Sequence, residues 1–201
     1  MIDLMLRKVS DHTRKQAGVD QYPDDAIDEL NTRFNQHAIG YRYESGSIIQ
    51  VDSEYVHSEA VKPALMLLHA NGFDGASDEF IRAHEHYRKG RTKEAIAEAL
   101  KAFESTMKSI CAARNWAYPS GATAKTLLDI LFDKGLIPTE LTSHFSGLRT
   151  TLESGLPTVR NRQGGHGQGA DMQLVPPHVA AYALHLAATN IVFLVESHKA
   201  R

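Results

Sequence analysis

Two cations, an amide and an imidazole crowd into "PTVRNRQGGHGQGAD", residues Pro157 to Asp171. Arg160 offers a planar fork of donors that suits a phosphate or a developing pentavalent centre. His166 can take up or release a proton near neutral pH, and Asn161 can donate and accept to orient a group. Five of the chain's fourteen glycines fall between Gly155 and Gly169. That density lets several backbone N–H groups turn toward an anion just ahead of a helix. A Walker-type phosphate loop is excluded, because no Gly-Lys-Ser/Thr follows and no strand precedes; a dinucleotide fingerprint fails for want of the same strand. Arginine plus histidine, with no carboxylate cluster to seat a metal, is the minimum kit for cleaving RNA through its own 2′-hydroxyl. The substrate brings the nucleophile, and the protein supplies only proton transfer and charge stabilisation. The plain alternatives are a solvated linker that carries charge, or side chains that cap neighbouring helices.

Composition narrows the partners. The chain has 201 residues and a formal charge of −2, so the whole-molecule field does not advertise nucleic acid and an RNA site must be a local patch. Arg162 and Gln168, beside the motif, are the expected RNA-backbone contacts; Arg149 and Arg114 read first as solvated surface charge. Eleven histidines raise the question of a metal. However, His84 and His86 in "AHEHY" point in different directions on a helix, and His57 and His69 have no companion at ligand spacing. No metal and no cofactor is expected. Cys111 is the single cysteine; it has no internal disulfide partner and reads as a packed thiol. With no secretory signal at the N-terminus, the cytoplasm is the expected compartment. The apolar run Val179–Val195 carries His185, Thr189 and Asn190, so it reads as a buried helix and not as a membrane span.

The elements that must position the motif are mostly helical. A helix is expected from Asp24, with Ile27, Leu30 and Phe34 on one stripe and Gly40 as its stop. "YRYESGSIIQVD" reads as a β-hairpin about a Ser45-Gly46 turn. "SEYVHSEAVKPALMLLHANG" reads as a helix capped by Ser53 or Ser58, kinked at Pro63 and ended by Gly72. After "FDGASD" only helices follow. "DEFIRAHEHYRKG" gives a short one, and "TKEAIAEALKAFESTMKSICAARN" a long amphipathic one with Ile96, Leu100, Phe103, Met107 and Ile110 on its buried face. "TAKTLLDILFDKG" gives another. "PTELTSHFSGLRTTLESG" gives one more, with Pro138 at its start and Gly155 past its end. Pro176 and Pro177 launch the apolar last helix. The expected fold is therefore mainly α: a helical bundle preceded by a small N-terminal α+β piece of helix and hairpin.

The string "RNRQGGH", an Arg-Asn pair, a four-residue spacer and a His ahead of the last helix, resembles the signature of the HEPN superfamily. Three blocks, "AIAEALKAFESTMKSICAARNW", "LPTVRNRQGGHGQG" and "YALHLAATNIVFLVE", look like the abortive-infection C-terminal domain, over Gly72 to Ser197. The segment "RFNQHAIGYRYESGSIIQVDSEYVHSEAVKPALMLL" is similar to what precedes that domain in AbiJ-like phage-defence proteins. The resemblance implies a HEPN-like helical bundle over 73–201 behind an N-terminal segment, 1–72. It implies a homodimer with a composite active site that cleaves RNA without metal to a 2′,3′-cyclic phosphate and a 5′-hydroxyl. It further implies a toxin of abortive infection, held in check by an antitoxin or regulatory partner. The catalytic roles pass to Arg160, Asn161 and His166. Many members also carry a Glu-x-x-x-Lys pair on an earlier helix, which Glu104 and Lys108 fit; one turn apart, they also fit an ordinary surface pair. A non-catalytic module that binds nucleotide or RNA and dimerises is the alternative reading.

Overall fold

A computed structural model describes residues 23–37, 39–51, 54–145 and 175–201. Helix α1 (Pro23–Gln36) leads into strands β1 (Tyr41–Glu44) and β2 (Ser47–Gln50). The two strands pair antiparallel, with Glu44 opposite Ser47. Both turn residues, Ser45 and Gly46, have positive φ, 46° and 80°; that is the tight hairpin turn whose twist matches the strands, and Gly46 takes it without a Cβ penalty. Tyr43, Ile48 and Ile49 are all buried, because α1 covers the β1 side of the hairpin while β2 lies against a bundle helix.

The next helix is broken in a specific way. α2 (Glu54–Val56) passes through a π turn, His57–Val61, into α3 (Lys62–Ala70). Pro63 lacks the N–H that would bond back one turn, and its ring crowds the carbonyl of Glu59. The wider π turn just before it accommodates both. The kink expected at Pro63 is thus a π turn that places His57, Ala60 and Val61 inward. Ser58 does not cap: it lies inside the π turn, and its hydroxyl donates to the Tyr55 carbonyl at 3.0 Å. Gly72 ends α3 at φ +67°.

α4 (Asp74–Arg88) begins earlier than its sequence suggests. "DGAS" reads as loop, yet Ala76 and Phe80 are fully buried, and that burial overrides the local preference. α5 (Thr92–Ala113) and α6 (Ala124–Asp133) form where their stripes place them. Leu100 is a correction, since it sits half-buried on the flank of α5 while Ala95, Ala99, Ala102 and Cys111 fill the centre of the face. Burial raises the Cys111 thiol pKa, which suits an inert packed residue. After Pro138 comes a 3₁₀ turn, Thr139–Leu141, and one helical turn through 142–145. The remainder of the helix expected there, to Gly155, lies outside the described residues.

α7 (Pro177–Lys199) closes the bundle. By length and composition it could cross a membrane, but half of its most apolar window is buried against its neighbours. Leu184, Ile191 and Leu194 point into the core and Asn190 satisfies itself on the Leu186 carbonyl at 2.7 Å. Val179, Leu186 and Phe193 are partly covered, Phe193 by the Phe145 ring at 5.5 Å, and Tyr182 is the large apolar side chain of α7 that stands exposed, at 53 %.

One core runs from the hairpin's Ile49 through every described helix from the π turn to α7. α1 is held on by a different device. Asn31, buried, accepts from the Tyr43 N–H at 2.7 Å and donates to the Tyr43 carbonyl at 3.1 Å. The side-chain amide thereby stands in for a third strand. Asn31→Ala leaves a buried donor and acceptor unpaired and should cost about 1–3 kcal/mol, read as a lower urea midpoint with an unchanged slope. A loss near zero would mean that α1 is held by its apolar stripe alone.

Candidate functional site

α5 and α7 run parallel, and each end of the pair is pinned. At the leading end the buried Thr92 hydroxyl donates to the Val175 carbonyl at 2.9 Å. At the trailing end Arg114 Nε–H donates to His198 Nδ1 at 2.8 Å, a second guanidinium nitrogen donates to the His198 carbonyl, and the group lies 5.5 Å from the Trp116 ring. Burial, and then the Arg114 charge, lower the His198 pKa, which keeps the imidazole neutral and able to accept. Arg114 is therefore tied into the bundle end and is not a free surface cation.

The pinning defines where the sequence motif is attached. Residues 146–174 leave the described chain beside Phe145, whose ring packs on Phe132 and Phe193. They rejoin it at Val175, held by Thr92. Phe193 and Val175 are eighteen positions apart in sequence, nearly all of them on α7, so the two attachments lie about 27 Å apart along the helix. Arg160, Asn161, Arg162, His166 and Gln168 all fall between these attachments and lie outside the described residues, as does Arg149.

Glu104 and Lys108 are described. They lie half-buried, one turn apart, on the flank of α5 that also carries Lys93, Ala97 and Leu100. The other flank carries Glu98, which pairs with Arg82 of α4 at 3.1 Å and with Lys101 at 2.5 Å. Glu104 and Lys108 make no ion pair with each other or with another described residue, so the pair is not spent on holding the helix. Lys93, one residue past the Thr92 tether, escaped the sequence reading. Its Nζ is shielded from solvent and has no hydrogen-bond partner among the described residues, an arrangement that an anion would complete. Only burial could have revealed it, since a lysine in the first turn of a helix is an ordinary surface residue.

Sequence spacing also missed a cluster of histidines. His57 of the π turn, His84 of α4 and His185 of α7 line one small cleft with Gln50 and Tyr87. His84 and His86 do diverge, the former buried and the latter half-buried. Among the described residues no three His, Cys, Asp or Glu side chains converge closely enough for a metal.

The Thr92 tether has a direct test. Thr92→Val removes the donor and strands the Val175 carbonyl, at a cost of about 1 kcal/mol or somewhat more. For a chain of this size that lowers the thermal midpoint by about 2–4 °C, and Thr92→Ser should recover most of it. A loss confined to Thr92→Ser, with Thr92→Val as stable as the wild type, would point to the methyl group as the part that matters.

Compared with known sequences, the Abi_C family model, described as a HEPN-like domain, matches residues 74–198, well over half of the chain. No curated protein matches, and no solved structure matches.

Proposed function

Because the chain belongs to the Abi_C family of HEPN-like domains, we propose that it is a metal-independent endoribonuclease, acting as a toxin in a phage-defence system. One observation carries this reading: "RNRQGGH" falls inside the matched region, in the segment between Phe145 and the Val175 carbonyl that Thr92 holds. The family match itself speaks to abortive-infection ancestry, and the chemistry is argued from the residues.

In the proposed reaction a 2′-hydroxyl of the RNA attacks its own phosphorus. The O2′–P bond forms and the P–O5′ bond breaks. One base removes the 2′ proton and one acid delivers a proton to O5′, which leaves a 2′,3′-cyclic phosphate and a 5′-hydroxyl. His166 moves protons at neutral pH without help from a neighbour. Arg160 neutralises the charge that grows on the phosphoryl oxygens, and Asn161 orients them. Arg162, Gln168 and Lys93 hold the flanking backbone. Two proton transfers need two groups, and a second chain supplies the second His166. The exposed Tyr182 and the partly covered Val179, Leu186 and Phe193 lie along α7, so a two-fold pairing there brings two motifs to one cleft. A regulatory partner restrains the toxin until infection.

The test is incubation of the purified protein with end-labelled RNA in excess chelator. Cleavage should persist and leave cyclic phosphate ends, and His166→Ala should slow it by roughly 10² or more with an unchanged thermal midpoint. Activity lost in chelator and restored by magnesium would refute the metal-free mechanism. Retained RNA binding with no cleavage would favour the non-catalytic binding module.

A further inference from the structure

The N-terminal segment meets the helical bundle across a seam lined by histidines. The cleft there is small, and its walls come from the end of β2 and the residue after it (Gln50, Val51), the π turn (His57, Val61), α4 (His84, Tyr87) and α7, which contributes His185. His57 and His84 are 4 % and 2 % exposed. Nε2 of His57 and both ring nitrogens of His84 are out of solvent without a hydrogen-bond partner among the described residues. The His84 ring stands edge-on against Phe80 at 4.9 Å, so one side of it is apolar. Unpaired buried imidazoles are costly, and this cost is concentrated where two parts of the chain meet.

A proton on His84 would have nowhere to go. The groups that act on its charge are His57 and His185, both of which oppose a second positive charge. The carboxylate of Glu44 on β1 stands 3.6 Å from His57 Nε2 and serves that ring. Among the described residues, no acid lines the cleft. Opening the seam hydrates the ring and lets it charge. The π turn adds a second sign, since single π turns inside helices commonly mark functional positions, and this one is what turns His57 inward.

We propose that these histidines form an acid-sensitive latch: with His84 neutral the hairpin and π turn stay closed on α4 and α7, and protonation opens the seam. The device reaches the helix that follows the Arg160–His166 segment, because His185 lies on α7. Burial, reinforced by His57 and His185, pushes the His84 pKa down to about 3, against about 6.5 for a hydrated histidine. The open state therefore binds the extra proton throughout that interval. Closure is fully stable above about pH 6.5 and weakens steadily as pH falls toward 3.

Hydrogen exchange of the full-length wild-type protein between pH 7.5 and 5.5 tests this, with rates corrected for intrinsic exchange. This range lies above the ordinary titration of carboxylates. Amides of β1, β2 and the π turn should open about tenfold more often at pH 5.5 than at 7.5, the result of one proton taken up on opening by a group that titrates near 6.5 once hydrated. The α5 and α6 amides should stay protected. His84→Leu should abolish the rise, and His84→Gln should do the same if the leucine variant does not fold. A wild-type rise shared equally by α5 and α6 would overturn the latch, as would a variant that keeps the wild-type rise.

Discussion

Two long helices from opposite ends of the bundle's sequence must lie side by side, pointing the same way. α5 and α7 pack against each other, and both are rich in buried alanine: Ala95, Ala99 and Ala102 on one, and Ala180, Ala183, Ala187 and Ala188 on the other. Small residues let the two axes approach closely, so the pair tolerates little shift in register. Thr92 to Val175 and Arg114 to His198 fix that register at both ends. Parallel neighbours cannot be joined by a short turn. Each helix is about 33 Å long, and the chain must travel back that distance before it can begin α7. α6 and residues 134–145 occupy part of the connection, and residues 146–174 complete it.

That geometry explains why chemistry-bearing residues stand in a glycine-rich stretch. A connection imposed by topology need not fill the core, so its composition is free to serve a substrate. The bundle supplies stiffness, through a core that runs without interruption from Ile49 to Val195, and the connection supplies Arg160, Asn161 and His166. The N-terminal piece joins the same core through Ile49, Ala60 and Val61. Its seam buries two imidazoles, His57 and His84, which makes it a natural point for control.

Much of this was legible in the sequence, for local reasons. Ser45-Gly46 between β-favouring residues specifies a hairpin by backbone chemistry alone. The stripe of Ile96, Phe103, Met107 and Ile110 specifies the buried face of α5. What escaped was decided at long range. "DGAS" joins α4 because Ala76 meets the core, which no local preference encodes. Leu100 sits on the flank of its face, and Ala95, Ala99 and Ala102 hold the centre. His57, His84 and His185 are far apart in the chain, and neither helical nor ligand spacing connects them. The Lys93 ammonium became a candidate only through burial. The proposed catalytic motif is a reverse case, plain in sequence while its residues lie outside the described structure.

In the proposed dimer two motifs serve one cleft across α7. Co-expression of wild-type chains with tagged His166→Ala chains, followed by isolation of the mixed dimer, tests it most directly. A shared site predicts RNA cleavage far below half the wild-type rate, because loss of one member of a coupled proton-transfer unit disables the unit. A mixed dimer that retains half the rate, or a monomer by light scattering at working concentration, would contradict it.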